Sequence, residues 1–294
     1  MKYAWIREHG DSFPVALLCQ VLDVSTSGYY AALDREPSVR AQRHERIKVA
    51  VSQVHAASHG IYGSAKITQA LQKQNELERA CRNTVAVAMR EMGLASRVRK
   101  AFTPTTTQVD PTKQPAPNIL DRDFTATAPN RKWVTDITYL LTAQGWVYLA
   151  VVLDLFSRKV VGWAIGPSLA TELVSAALRA AIESRRPVGQ DLLHHSDRGS
   201  QYTSEAYQQT LRILGIECSM SHRGSCYDNA VMERFFWSLK HEWTKHEHFE
   251  NLAAARLSVF KYIETFYNAE RIHQTLGYKS PDKFEAEYAP VVAA

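Results

Sequence analysis

The sequence lacks any hydrophobic run long enough to cross a membrane. Its most apolar stretch, 146–153, stops at Asp154 and falls well short of the roughly 18 residues that a membrane-spanning helix needs. The amino terminus places Arg7, Glu8 and His9 where a signal peptide has its apolar centre. We therefore expect a cytoplasmic protein that is neither exported nor bound to a membrane.

Cysteine is scarce, and its spacing is uninformative. The 294 residues include four cysteines, none in a CxxC pair and none at the spacing of a zinc finger. This pattern argues against a disulfide framework and against a structural zinc site. The four residues are predicted to be reduced thiols in the core: Cys19, Cys81, Cys218 and Cys226.

The sequence also lacks a strong excess of either charge. The net charge is +5, and the basic excess lies in residues 1–120, where 16 Lys and Arg face 10 Asp and Glu. Residues 121–294 hold 19 basic against 20 acidic side chains. The amino-terminal part therefore suits contact with phosphate, but an excess this small is common in proteins that bind no nucleic acid.

Three acidic residues stand in contexts that favour a shared site. Asp136 lies in the strand-like stretch 133–139, Asp197 ends an apolar run, and Glu233 falls early in a predicted helix. Clustered carboxylates repel one another unless a cation lies between them, and oxygen ligands suit Mg²⁺ or Mn²⁺ better than zinc. Two such ions can hold the attacking and leaving oxygens of a phosphodiester. The alternative is that all three are ordinary surface acids.

The order of predicted elements indicates an α/β fold like that of ribonuclease H. Three antiparallel strands are predicted at 132–141, 146–153 and 159–165, followed by an amphipathic helix at 171–185. A strand at 191–195, a helix at 204–214, a strand at 216–220 and a long helix at 229–246 follow. We expect a mixed five-stranded sheet with flanking helices, preceded by small helical domains.

The amino-terminal third is predicted to be helical. A helix at 15–22 followed by a second helix capped by Ser25 has the cadence of a helix-turn-helix. A second helical pair begins near Ser64 and near residue 83, and Gly93 ends it. This pair is either a DNA-binding module or a purely structural one, and its candidate DNA contacts are Lys66, Arg97, Arg99 and Lys100.

A segment rich in proline and threonine separates these helices from the catalytic region. Four prolines between residues 104 and 117 argue against a packed element there and favour a linker or an extended arm. The predicted division of the chain is 1–45, a helix-turn-helix-like segment; 46–100, a helical DNA-binding-like domain; 101–127, the linker; 128–246, the catalytic core; and 247–294, carboxy-terminal helices that pack on the core.

Further candidate residues lie on and after the long predicted helix. Lys240 shares a face with Glu233 two turns earlier, so it is a candidate contact for the DNA backbone, with an ordinary exposed lysine as the alternative. Asn229 either caps this helix or reaches the substrate, and capping is the simpler role. Arg271 and His273 have two equally good interpretations, packing of the last helices over the core or contact with DNA.

These motifs resemble the DDE transposases and integrases, and more narrowly the OrfB-type transposases of bacterial insertion sequences. The similarity covers nearly the whole chain. It is carried by residues 133–139, 154–158, 195–202, 228–240 and 267–278. The resemblance implies a ribonuclease-H-like integrase core in which Asp136, Asp197 and Glu233 are catalytic and hold two Mg²⁺ or Mn²⁺ ions.

The resemblance also implies an activity and partners. Such an enzyme cleaves the ends of an insertion sequence and joins the freed 3′-hydroxyl to another DNA strand. The implied partners are double-stranded DNA of the terminal inverted repeats and of the target, at least one further copy of the chain on DNA, and an upstream OrfA-type helix-turn-helix product, separate or fused. Three alternatives remain: a transposase-derived DNA-binding regulator, a ribonuclease-H-like nuclease without strand transfer, and a domesticated protein with an intact site.

Overall fold

A five-stranded mixed sheet organises the second half of the chain. The computed structural model describes residues 2–74, 78–97, 116–187, 191–222 and 225–292. The sheet has the order β3-β2-β1-β4-β5, with β1 in the centre. Its strands are β1 Lys132–Thr142, β2 Gly145–Asp154, β3 Val160–Gly166, β4 Leu193–Ser196 and β5 Glu217–Met220.

Strand direction changes within the sheet. The first three strands form an antiparallel meander, while β4 pairs with β1 in parallel and β5 pairs with β4 in parallel. Strand β2 is almost uniformly apolar because helices cover both faces of the sheet, so both sets of side chains are buried. Gly145 begins β2 with φ of 115°, a backbone conformation that suits glycine at this tight hairpin turn.

Helices pack against the two faces of the sheet. Helices α7 (Thr171–Arg185) and α8 (Glu205–Ile213) share a buried apolar cluster with Trp133, Ala150 and Val152. Helix α9 (Ala230–Glu242) and helix α10 (Leu252–Phe260) belong to the larger cluster on the opposite face. Three antiparallel strands, two parallel strands and flanking helices in this order form a ribonuclease-H-like fold, so the predicted fold class is confirmed.

The long helix predicted at 229–246 is shorter than expected. Helix α9 ends at Glu242, and the backbone of Trp243 leaves the helical region with φ of −133°. The Trp243 indole donates a hydrogen bond to Ser258 Oγ at 3.1 Å and stacks on Phe266, so tertiary packing turns the chain there. The remaining segments are a π-helix and further helices: 3₁₀ Cys226–Asn229, 3₁₀ Thr244–His246, π Lys261–Tyr267, 3₁₀ Gln274–Leu276 and α11 Pro281–Val292.

The amino-terminal helices form two groups. Helices α1 (Lys2–His9), α2 (Val15–Val21) and α3 (Thr26–Leu33) enclose a small core of their own, and Ser25 Oγ accepts a hydrogen bond from Gly28 N at the start of α3, as predicted. Helices α4 (Val39–Ala57), α5 (Ser64–Lys73) and α6 (Arg82–Glu91) form the second group. Helix α4 runs through residue 45, where the sequence suggested a boundary.

The second group packs on the carboxy-terminal part of the catalytic region. The Tyr62 hydroxyl accepts a hydrogen bond from Ile272 N at 2.9 Å, and Lys73 Nζ donates to the carbonyl oxygens of Gly277 and Tyr278 at 3.1 and 2.6 Å. Apolar residues of α4, α5 and α6 also join the larger core cluster of the sheet. These contacts join the helical unit to the catalytic region across about 200 residues of sequence separation.

The proline-rich linker is described from residue 116 onward, and residues 101–115 lie outside the described part. Leu120 is buried, and the Ile119 and Leu120 amides both donate to Ser219 Oγ, at 2.9 and 3.0 Å. This end of the predicted linker therefore packs on the catalytic core. The apolar side chain of Leu120, within a polar sequence, is the feature that anchors it.

The expectations about cysteine are only partly correct. Cys19 is buried as predicted, whereas Cys218 is half-buried and Cys81 is exposed at the start of α6; all three are free thiols. Cys81 is therefore not a core residue. The side chain of Cys226 lies outside the described residues. In the described ranges, the structure contains no helix that is both long and apolar enough to span a bilayer.

Gly162 permits helix α7 to lie directly on strand β3. A Cβ atom at this position would lie 2.4 Å from the carbonyl oxygen of Ala177 and from the amide nitrogen of Ala181. Both are backbone atoms of a helix packed between the sheet and its neighbours, so they cannot move away as the end of a side chain can. Gly166 is a matched position on the same strand, where a Cβ would meet Leu173 Cδ1 at an ordinary 3.5 Å.

We expect Gly162→Ala to destabilise the protein by about 3 kcal/mol or more, because overpacking against backbone forces the helix and the sheet apart. The measurement is the midpoint and slope of unfolding in urea. Gly166→Ala is the control and should stay within about 1 kcal/mol of the original protein. Equal stability of the two variants would contradict the close approach of α7 to β3.

Candidate active site

Asp136 lies on β1, and Asp197 directly follows the neighbouring strand β4 at the same level of the sheet. The parallel pairing of β1 with β4 matches Lys132 with Leu193 and Val134 with His195, a constant offset of 61 residues. The same offset relates Asp136 to Asp197, which follows the last residue of β4. Adjacent strands lie about 4.8 Å apart, so the two acids emerge side by side where the parallel pair ends.

Local hydrogen bonds orient both carboxylates. Asp136 Oδ1 accepts a hydrogen bond from Ile137 N at 2.8 Å, and Asp197 Oδ1 accepts one from Gly199 N at 2.9 Å. A Cβ at position 199 would lie 3.0 Å from that same Asp197 oxygen, so the small residue lets the turn close against the carboxylate. One oxygen of each acid is therefore held in place by a backbone amide.

Glu233 approaches from helix α9, whose start is tied to β1. The Asn229 side chain donates from Nδ2 to the carbonyl oxygen of Thr135 at 3.1 Å, next to Asp136 in sequence. Glu233 follows one turn later on α9 and is exposed. Asn229 occupies the N-cap position, but its side chain caps no backbone N–H, so the predicted capping role is wrong. The side chain is hydrogen-bonded to the backbone of β1 instead.

The three carboxylates act on one another electrostatically. Burial raises the pKa of Asp136 well above its usual range, and the charges of Asp197 and Glu233 raise it further. Burial also raises the pKa of Glu233. Within the described ranges, no three His, Cys, Asp or Glu side chains are close enough to hold one metal ion together. The structure therefore places two acids side by side and the third within electrostatic reach.

Lys240 is held beside this group by aromatic side chains. Its Nζ lies 4.4 Å from the centre of the Tyr139 ring, which in turn makes an edge contact with Trp146 at 5.0 Å. Burial lowers the pKa of Lys240, a neighbouring Lys245 lowers it further, and Asp136 opposes both effects. The ammonium group thus lies near the acids, over an aromatic face rather than in open solvent.

The segment before α9 is held in place by the buried side chain of Asp228, which the sequence analysis did not propose as a site residue. Asp228 accepts hydrogen bonds from Arg122 Nε, Ser225 Oγ and His222 N, each at 2.8 Å, and from Asn118 Nδ2 at 3.2 Å. Three of these donors precede it by six to 110 residues in sequence, so only the folded chain reveals the contact. This network fixes the entry into α9 and hence the start of the helix that carries Glu233.

Two histidines next to Asp197 have structural roles. His194 is hydrogen-bonded to the Tyr207 hydroxyl at 3.1 Å, and His195 to Ser219 Oγ and Ser221 Oγ at 2.8 and 3.1 Å. Burial lowers the pKa of both imidazoles to about 4, so both are neutral near pH 7. They brace β4 against its neighbours and form no hydrolase triad with Ser196.

Asp154, also part of the motifs, is a structural acid. Its two carboxylate oxygens accept hydrogen bonds from Phe156 N at 2.9 Å and from Asn130 N at 2.7 Å, and it forms an ion pair with Arg185 at 3.3 Å. The side chain is fully buried at the end of β2. It stabilises the turn there, as its position at the end of an apolar run predicts.

The predicted DNA contacts of the helical unit differ in accessibility. Arg97 is exposed after α6, whereas Lys66 is half-buried, with Nζ 5.0 Å from the Tyr62 ring centre. Arg99 and Lys100 lie outside the described residues. Lys66 therefore faces the carboxy-terminal part of the catalytic region. Of the four candidate DNA contacts in this unit, Arg97 is the one that lies exposed within the described residues.

Arg271 and His273 pack inside the protein. Arg271 is buried and donates two hydrogen bonds to the Glu242 carboxylate, from Nε to Oε2 at 2.6 Å and from Nη2 to Oε1. His273 stacks edge-on against Tyr267 at 5.0 Å. Of the two interpretations of this motif, packing is the one that these contacts support: Arg271 joins the carboxy-terminal segment to the end of α9.

Comparison with known families agrees with this architecture. Residues 126–226 and 214–281 match integrase core domain families, and residues 42–102 match an HTH-like domain family. The first two matches span the sheet, the three acids and the segment that contains Arg271, and the third spans α4, α5 and α6 to within a few residues. Fold and site together define a polynucleotidyl transferase with an integrase core and a ribonuclease-H-like fold.

Relatives identify the family within that class. The chain is 39% identical to the transposase InsF for insertion sequence IS3A of Escherichia coli (strain K12), over 97% of this chain and 98% of the relative. It is 38% identical to the insertion element IS600 uncharacterized 31 kDa protein of Shigella sonnei, over 94% of this chain and 100% of the relative. The chain belongs to the IS3 family of insertion-sequence transposases.

Among solved structures, one similar chain comes from the simian T-cell lymphotropic virus intasome in complex with PP2A regulatory subunit B56 gamma. It is 17% identical, aligns with a TM-score of 0.46, and covers 80% of this chain and 74% of its own.

Repulsion among the acids has a measurable consequence. We expect Asp136→Asn to raise the melting temperature in EDTA by about 2 to 4 °C, the shift that about 1 kcal/mol gives in a protein of this size. Asn keeps the oxygen that accepts from Ile137 N but removes the buried like charge. Asp191→Asn is the control, because Asp191 is fully exposed and its substitution should change little. A lower melting temperature for Asp136→Asn would show that the three charges do not repel one another as described.

Proposed function

We propose that this transposase cleaves the ends of its insertion sequence and joins the freed 3′-hydroxyl to another DNA strand, with Asp136, Asp197 and Glu233 as the metal-binding catalytic residues. The observation that carries the proposal is the placement of the acids. Two lie at one level of a parallel strand pair, and the third lies on a helix tied to the residue before Asp136.

The donor set fits divalent magnesium or manganese. All three side chains offer carboxylate oxygens, which hard cations prefer, and the mutual repulsion that raises the pKa of Asp136 is the kind that a bound cation relieves. Two bound ions would supply positive charge to activate a water or a 3′-hydroxyl and to stabilise the departing oxygen. The fit rests on the chemistry of the donors and on their shared electrostatics.

Two of the acids are held by hydrogen bonds, whereas the third is exposed and can change its side-chain conformation. Asp136 and Asp197 are each fixed through one oxygen by a backbone amide. Glu233 is exposed and makes no side-chain hydrogen bond or ion pair with the described residues, so its carboxylate can turn toward Asp136 when DNA covers the site. We infer that the complete ligand set forms on substrate binding.

Lys240 is proposed to contact a phosphate next to the scissile bond. The Tyr139 ring holds its ammonium group near Asp136, and no carboxylate among the described residues forms an ion pair with it. A half-buried cation without a partner is well placed to receive a backbone phosphate. Arg97, Arg99, Lys100 and Asn229 remain proposed DNA contacts, and Asn229 is the weakest of them because its side chain is buried against β1.

The partners follow from the reaction. The proposed substrates are double-stranded DNA of the terminal inverted repeats and of the target, in the bacterial cytoplasm. Because two ends must be handled together, at least two copies of the chain are expected on DNA. An upstream OrfA-type helix-turn-helix product, separate or fused, is the proposed source of further end recognition.

We expect Asp136→Asn, Asp197→Asn and Glu233→Gln each to reduce both end cleavage and strand joining by at least about a hundredfold, the order of loss when one electrostatic group leaves an active site. The assay uses labelled duplex ends with Mg²⁺ and resolves cleaved from joined products. DNA binding, measured separately, should persist, because each variant removes negative charge. Asp191→Asn is the matched control and should keep full activity. A variant that still joins strands excludes that position from the site.

We expect Lys240→Gln to weaken binding of an end duplex and to lower the slope of log affinity against log salt concentration by about 1, the signature of one lost phosphate contact. The measurement is fluorescence anisotropy in EDTA at several salt concentrations. Lys261→Gln, which removes an exposed lysine of the carboxy-terminal π-helix, is the control. If the two variants share the salt dependence of the original protein, Lys240 makes no such contact.

A further inference from the structure

Basic side chains from four parts of the chain meet where the helical unit packs on the catalytic region. They are Lys66 of α5, Arg158 after β2, Arg234 of α9, and the pair Arg271 and His273, and we call them the joint cluster. Lys66, Arg158, Arg234 and Arg271 all lower the pKa of His273, after the larger effect of its burial. Their positive fields therefore converge on one small volume.

Direct contacts bring Lys66 to the carboxy-terminal segment. The Tyr62 hydroxyl accepts the hydrogen bond from Ile272 N, the amide between Arg271 and His273, and Lys66 Nζ lies 5.0 Å from the centre of that Tyr62 ring. Arg271 Nη1 lies 3.4 Å from both ring nitrogens of His273. Tyr62 therefore links Lys66 to the segment that carries Arg271 and His273.

The charge of the joint cluster is not balanced. Glu242 is the carboxylate that raises the pKa of Lys66, but its oxygens already accept two hydrogen bonds from Arg271 and one from the Tyr262 hydroxyl. Among the described residues, neither Lys66 nor Arg234 forms an ion pair. Arg158 Nη1 is buried without a hydrogen-bond partner. Two carboxylates, Glu242 and Asp154, thus act on a cluster of five permanent or potential cations.

Packing alone does not account for this arrangement. Burial and the charge of Arg271 lower the pKa of Lys66 to about 7, so a charged lysine is disfavoured there in the free protein. A methionine has a similar length and no charge to desolvate. A basic group that is buried at a cost in stability, beside other basic groups, is typical of a functional site, here one that would bind an anion.

The cluster is open to solvent on one side and adjoins the proposed active site. Arg234 is exposed and directly follows Glu233 on α9, with its guanidinium 4.3 Å from the Trp237 ring centre. Lys66 and His273 are half-buried. The joint cluster therefore has an exposed member in the residue next to Glu233.

We propose that the joint cluster binds a backbone phosphate of duplex DNA, with Lys66 and Arg234 as its direct contacts and Arg271 as the fixed charge behind them. The phosphate would bridge the HTH-like unit, α9 and the carboxy-terminal segment. DNA bound at this joint would thereby hold the helical unit in a set position relative to the catalytic acids. The inference rests on the proposed function only in taking DNA as the polyanion, and the binding needs no chemistry.

The test compares two lysines of the same helix. Lys66→Met removes the unpaired charge, and we expect it to raise the dissociation constant of a duplex of arbitrary sequence about tenfold, to lower the salt slope by about 1, and to leave the melting temperature unchanged or higher. Lys66→Arg should retain wild-type binding. Binding is measured on the full chain in EDTA, so loss of catalysis cannot imitate the result.

Lys73→Met is the matched control. Lys73 also joins α5 to the carboxy-terminal segment, but two carbonyl oxygens satisfy its ammonium group. This variant should melt at a lower temperature while its dissociation constant stays within about twofold and its salt slope is unchanged. Opposite signs of the stability change in the two variants would separate a binding lysine from a structural one.

Two results would overturn the proposal. One is Lys66→Met with the affinity and salt slope of the original protein; the other is Lys66→Met that loses stability and affinity together, as a structural residue would. Should Lys66→Met fail to fold, Arg234→Gln on the exposed face of α9 replaces it, with the same expected tenfold weakening and the same reduction in salt slope. Cleavage by the acid variants tests the active site separately.

Discussion

Repulsion between Asp136, Asp197 and Glu233 is the constraint around which the catalytic region is built. Like charges at the end of a parallel strand pair oppose folding, so the surrounding structure has to hold them there. Strand β1 does so by pairing on both sides, antiparallel with β2 and parallel with β4, which leaves Asp136 little freedom to withdraw. The buried network of His194 and His195 then fixes β4, and with it the acid that follows.

Helix α9 is fixed at both ends by contacts with distant parts of the chain. At its start, Asn229 bonds to the Thr135 carbonyl, and at its end Glu242 forms a bidentate ion pair with the buried Arg271. A buried pair of this kind contributes little net stability, but loss of one partner is costly, commonly about 3–5 kcal/mol, because the other remains charged and buried. The buried Arg271 thus helps to fix the position of α9, the helix that carries Glu233.

The sequence predicted what depends on local pattern and missed what depends on distant partners. Alternating and apolar runs gave the five strands to within two residues, and the helix at 171–185 was predicted at its observed bounds. The end of α9 was missed because the chain leaves the helix at Trp243, where the indole packs against the carboxy-terminal helices. The spacing of apolar residues in the sequence does not predict such a contact. Asp228 was missed because its hydrogen-bond donors are scattered through the chain. Lys66 was predicted as a DNA contact without regard to burial, because its burial arises from Tyr62 and from a segment about 200 residues away in sequence.

Two regions, each with an excess of one sign of charge, meet on α9. Glu233 belongs to the group of acids that we propose binds metal ions, and the next residue, Arg234, belongs to the joint cluster, which we propose binds a phosphate. The two regions do not neutralise each other, since Glu233 and Arg234 are both exposed and point from adjacent positions about 100° apart around the helix. A nucleic-acid strand with bound metal ions carries charge of both signs, positive at the ions and negative at its phosphates. The same substrate would therefore relieve the repulsion among the acids and the repulsion among the bases. The free energy that these repulsions cost the free protein would then contribute to its affinity for DNA.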